Sequence, residues 1–107
     1  MIVIWNVFLG NFKGITIFPF IILKDKKTKD NKVVINHEKI HIEQQKELLV
    51  IPFFIWYFVE WFIRLFMDGN AYRNISFERE AYANEDNVDY LKERRPFAFF
   101  KYMFNKN

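Results

Sequence analysis

The strongest constraint in this 107-residue chain is the stretch Ile35-Asn36-His37-Glu38-Lys39-Ile40-His41-Ile42, which contains H-E-x-x-H. On an α-helix, residues i and i+4 stand one above the other on the same face, so His37 and His41 can aim both imidazoles at one metal ion. Glu38 lies about 100° round the helix from the first histidine, within reach of a water held at that metal. Two nitrogens to fix a zinc ion, and one carboxylate to take a proton, is a division of labour that this spacing serves directly. The competing reading is a pair of surface histidines on a polar helix face. Against it, the 2 histidines of the chain are both in the motif.

A catalytic zinc ion ordinarily keeps three protein ligands and one open position. With no cysteine and no further histidine in the chain, a third ligand has to be a carboxylate. The absence of cysteine also excludes a disulfide framework. Downstream of the motif, Glu78, Glu80 and Glu85 form an acidic group on a segment of helical character. Glu78 and Glu80 project about 200° apart on a helix, so at most one of them faces the metal. Glu43 and Glu47, on the motif helix itself, read as solvent-facing.

The length fits a single domain over residues 1–107. Aromatic residues make up 21% of the chain, far above ordinary usage, so that surface either fills the core or is offered to lipid or a partner. Lys24, Lys26, Lys27, Lys29 and Lys32 are interspersed with Asp25 and Asp30 under a mild net charge of +3. This predicts a solvated turn and no nucleic-acid partner. Residues 1–9 are apolar but lack a basic start and a small-residue cleavage site, so no signal peptide is expected. Gly10 to Gly14 reads as a turn. Residues 15–23, β-branched and aromatic, read as a strand that Pro19 confines to a sheet edge. Segment 1–23 is then a hairpin, or a short helix followed by a strand.

Asp30-Asn31 is a good N-cap for a motif helix running from near Lys32 to about Val50, where Pro52 kinks or ends it. Residues 53–67 are apolar nearly all round, with Glu60 and Arg64 placed at i,i+4 to pair. From Leu48 to Val59 only twelve uncharged residues run on, too few to cross a bilayer. A buried core helix is the first expectation there, and a helix lying at the membrane interface the second. The protein is accordingly expected in the cytoplasm, touching at most a membrane surface. After the break at Asp68-Gly69-Asn70, a helix capped by Asn74 or Ser76 carries the glutamates. A short helix over 88–95 stops at Pro96, and the aromatic tail 96–104 must dock somewhere.

With H-E-x-x-H followed by a glutamate helix, the chain resembles the gluzincins, a class of zinc peptidases. Their later helix often reads Glu-x-x-Ala-Asp, and Glu78-Arg79-Glu80-Ala81-Tyr82 matches at Glu and Ala. The register from Glu80 also gives Glu-x-x-Ala, with Asn84 in the place of the Asp. In size and order the chain is similar to the minimal single-domain gluzincins, or minigluzincins. That resemblance implies an α+β, zincin-like domain in which a short β-ribbon precedes an active-site helix and a glutamate helix. It implies Zn2+ held by His37, His41 and Glu78, with Glu80 the alternative ligand. Glu38 would act as general base in hydrolysing a peptide or protein substrate, which would pair with the free edge of strand 15–23. Tyr72 and Tyr82 are candidates, by position, for stabilising the oxyanion. The resemblance also implies a C-terminal segment able to cover the cleft, although docking of the tail on helix 53–67 as core is the simpler expectation. The rival reading is a zinc-stabilised, membrane-associated interaction module without catalysis. Glu38 speaks against it, because a structural site needs no base.

Overall fold

The computed structural model describes residues 2–4 and 13–104. Most of the turn expected at 10–14 and of the segment 1–9 lies outside the described residues. Strand β1 (Ile2–Ile4) lies parallel to β3 (Phe20–Leu23), whose other side pairs antiparallel with β2 (Gly14–Ile17), giving the order β1-β3-β2. The single strand expected over 15–23 is thus two strands of a tight hairpin. Ile17 stands opposite Phe20, and Phe18 and Pro19, joined by a cis peptide bond, form the turn between them. Pro19 has no N–H to give a ladder, and a turn position uses that better than a sheet edge does.

The polar loop contains a short helix α1 (Lys26–Lys29), whose first turn is capped by Asp25 through Thr28 N and Thr28 Oγ1, both at 2.9 Å. The motif helix α2 (Lys32–Leu48) begins where the sequence predicts, with Asn31 Oδ1 accepting from Val33 N and Val34 N at 3.1 and 3.2 Å. It stops before Val50. Leu49 takes a φ of 65°, and α3 (Val50–Arg64) starts at once. Pro52 therefore neither kinks nor ends α2 but falls in the first turn of α3, where a missing N–H deprives no bond. The chain closes with α4 (Ser76–Asn84), α5 (Tyr90–Glu93) and α6 (Phe100–Phe104). The result is a small α+β fold with a three-stranded sheet.

Helix α3 is not the buried core helix expected. Of its residues only Phe53 and Glu60 are buried, while Ile51, Ile55, Phe58, Val59, Phe62 and Ile63 are 49–73% exposed. Nor do Glu60 and Arg64 pair. Glu60 accepts from Ser76 N and Trp56 Nε1, each at 2.8 Å, and from Ser76 Oγ, while Arg64 Nη2 donates to the Met103 carbonyl at 3.1 Å. The first turn of a helix offers free N–H groups and partial positive charge, which a buried carboxylate meets well. Helix α4 is therefore capped from α3, and neither Asn74 nor Ser76 caps it with its own side chain.

The core forms where α3, α4 and the tail meet: Phe53, Ile75, Phe77 and Phe99 are buried together. The tail docks as core, with Phe99 and Phe100 at 5.4 and 5.5 Å from the Trp56 ring. A buried ion-pair network ties it further. Arg94 bonds Glu80 through Nε and Nη2, and Glu47 through Nη1 and Nη2 at 2.9 and 3.0 Å. Glu47, expected to face solvent, also accepts from Phe97 N at 2.7 Å. Glu80 is fully buried and takes a further bond from Tyr90 Oη at 2.6 Å. Removing one partner of such a buried pair strands the other charge. Arg94→Ala should therefore lower the unfolding free energy by about 3–5 kcal/mol, measured by denaturant titration.

Candidate metal centre

Three atoms converge between α2 and α4. His37 Nε2 and His41 Nε2 are 3.2 Å apart, and Glu78 Oε1 lies 3.2 Å from the first and 3.1 Å from the second. All three residues are buried, and they form a group able to hold a metal ion. Ligand bonds of about 2.0–2.1 Å in a tetrahedron place ligand atoms about 3.3–3.4 Å apart, so the triangle is nearly the size of one tetrahedral face.

The opposite nitrogens show what the triangle needs. Gln44 Nε2 donates to Phe77 O and Glu80 Oε1, at 3.1 and 2.9 Å, so its Oε1 can only accept from His41 Nδ1 at 2.7 Å. Glu85 Oε1 accepts from His37 Nδ1 at 2.8 Å. With both Nδ1 positions carrying the proton, both neutral imidazoles turn lone pairs towards the Glu78 carboxylate. Three acceptors without a donor require a cation between them, either a proton or a metal ion. The residues present thus fit a divalent ion bound by two nitrogens and one oxygen, with each histidine oriented by an acceptor behind it.

Secondary structure delivers these groups for local reasons. Asn36 Nδ2 donates to the carbonyls of Asn84, Glu85 and Asn87, at 3.3, 2.9 and 2.9 Å, closing the unsatisfied end of α4 and holding Glu85 beside His37. On α4, Glu78 and Glu80 diverge as helix geometry requires. Glu78 meets the histidines, and Glu80 is spent on Gln44, Tyr90 and Arg94. The second oxygen of Glu78 accepts from Tyr57 Oη at 2.7 Å.

Glu38 stands outside the triangle. Its Oε1 accepts from Thr16 Oγ1 of β2 at 2.5 Å, and it lines an open cleft of about 600 Å³ together with Gly14, His41, Tyr57, Tyr72 and Glu78. A side chain at Gly14 would come within 3.0 Å of Leu23 Cδ2 and 3.2 Å of the Ile22 carbonyl, so glycine lets β2 lie close against β3 at this end of the cleft. Tyr82, one of the two tyrosines expected near the reaction, instead packs its ring 4.7 Å from His37 beneath Arg73. Among the described residues, none of the tail lines the cleft.

Burial opposes protonation of His41, but the adjacent Glu78 carboxylate outweighs it and raises the pKa to about 9. Burial also opposes charge on Glu78, yet the His41 charge and the hydrogen bonds from both histidines hold its carboxyl far below the usual range. Burial and the Glu78 charge push the Tyr57 and Tyr72 hydroxyls well above theirs, so both remain donors.

No protein-family model, curated protein or solved structure matches the chain. The reading of the site therefore rests on its own geometry. Thr16, Asn36, Gln44, Tyr57 and Glu85 escape the sequence reading in these roles. Glu85, seven positions after Glu78, carries a helical-spacing signal, whereas Tyr57 carries none.

Two measurements follow from these contacts. Loss of an acceptor behind a ligating histidine typically weakens a metal site about 10–100-fold. Glu85→Ala should do so, and Glu78→Gln should weaken it by at least about 100-fold, read by competition with a chelating dye. The second concerns pH. In chelator-treated protein, the stability from His41 is complete below its ordinary 6.5 and is lost as pH rises through about 9. That from Glu78 is complete above its ordinary 4.5 and is lost in acid. Stability should therefore peak between 4.5 and 6.5. Metal affinity should instead climb with pH until about 9, as the competing proton leaves.

Proposed function

We propose that this chain is a zinc-dependent peptidase with a zincin-like arrangement of β-ribbon, motif helix and glutamate helix. The observation that carries the reading is that His41 and Glu78, two corners of the triangle with His37, line one open cleft together with a separate carboxylate, Glu38. Two imidazoles and a carboxylate without thiolate suit zinc. Bound there, zinc would polarise a carbonyl and acidify a water.

The chain's own residues divide the remaining work. Glu38 is held by Thr16 at the cleft wall, where it can take a proton from the attacking water and return it to the leaving amine. Tyr72 is a candidate to donate to the developing oxyanion, because it lines the cleft with its proton retained. Tyr57 lines the cleft too, with its hydroxyl bonded to Glu78, while that of Tyr72 is bonded to Tyr82. Strand β2 supplies the wall along which an extended peptide would lie.

A positioned general base contributes roughly 10²–10⁴-fold to rate. Glu38→Gln should therefore abolish most hydrolysis of a mixed peptide pool, followed by mass spectrometry, while metal content stays at one ion per chain. Loss of the metal in that variant would remove Glu38 from the role of base. A zinc-loaded wild-type protein that cleaves no peptide would sink the peptidase reading itself.

A further inference from the structure

We infer that the outward face of α3 seats this protein in the plane of an anionic lipid surface. The helix is amphipathic in the inverted sense. Its polar groups, Trp56 Nε1, Tyr57 Oη, Glu60 and Arg64, are turned towards the rest of the chain and bonded there. Its exposed stripe, Ile51, Ile55, Phe58, Val59, Phe62 and Ile63, contains no polar side chain. Phe66, 79% exposed, carries the stripe past the end of the helix. Fifteen residues at about 1.5 Å each give an apolar ridge about 22 Å long.

Three features select lipid as the occupant. Among the described residues no helix is long and apolar enough to cross a membrane, so the ridge would lie in the surface rather than span it. The ridge offers no hydrogen-bonding side chain to fix the register of a second protein, whereas acyl chains require none. Charge supplies the third. Glu38, Glu60, Glu78 and Glu80 are buried, against Arg79 and the side chain of Arg94 among the described cations. The charge facing solvent is therefore more positive than the formal +3, which complements an anionic headgroup layer.

The test uses the full chain and two vesicle preparations, pure phosphatidylcholine and phosphatidylcholine with roughly one-third phosphatidylserine. Ile55 and Phe62 lie off the cleft and are 61 and 52% exposed, so Ile55→Glu with Phe62→Glu should leave fold and metal binding intact. Wild-type protein should float with the anionic vesicles in a density gradient, at least tenfold more than with neutral ones. The double variant should lose that flotation at least tenfold, with unchanged circular dichroism and zinc content. Wild-type protein that stays at the bottom with both vesicles, or floats equally with both, would overturn the inference. So would a double variant that floats like wild type. A wild-type dimer in vesicle-free buffer that the variant converts to monomer, with no flotation of either, would assign the ridge to a second copy. Since vesicle binding needs neither metal nor turnover, its outcome is separate from that of the peptidase reading.

Discussion

The arrangement depends on one electrostatic demand: three hydrogen-bond acceptors held about 3 Å apart, with little exposure to solvent, need positive charge between them. Left alone, His37, His41 and Glu78 would separate or be solvated. What prevents this is the buried face of α2, which is largely polar: Asn36, His37, Glu38, His41, Gln44 and Gln45 are all buried. Such a face is costly unless every group is answered. Here it is, since no buried side-chain nitrogen or oxygen among the described residues lacks a partner.

The answers come from all sides of the domain. Asn36 and Gln44 lock α2 to α4, Gln45 and Glu38 lock it to β2, and Glu47 reaches the tail segment through Arg94. The larger apolar cluster fills a different place, between α3, α4 and Phe99, while a smaller one of Ile40, Ala81 and Tyr90 lies between α2 and α4. The fold thus separates its tasks. Hydrogen bonds fix the register of the site, and aromatic burial supplies the driving force beside it.

What the sequence made legible follows that separation. The start of α2, its Asn31 cap and the shared face of His37 and His41 are local consequences of helix geometry, and spacing reveals them. The divergence of Glu78 and Glu80 is legible for the same reason. The cap on α4 comes from Glu60, sixteen residues back on another helix, and the clamp on Glu80 comes from Arg94, fourteen residues on. No spacing rule reports such contacts. Helix α3 is apolar nearly all round, with Glu60 and Arg64 its two charged residues, so periodicity could not say which side would meet the core. Pro19 was legible as a barrier to sheet pairing, but whether it stood at an edge or in a turn depended on how β2 and β3 met.

Gln45 has a consequence for the sheet as a whole. Its side-chain amide donates to the Thr16 carbonyl at 2.8 Å and accepts from Phe18 N at 2.6 Å, at the open margin of β2. These are the bonds that a neighbouring strand's peptide group would otherwise make. An uncapped edge invites sheet growth from one molecule to the next, a first step towards fibrous aggregates. By filling two rungs at the hairpin end, Gln45 blocks continuous stacking there.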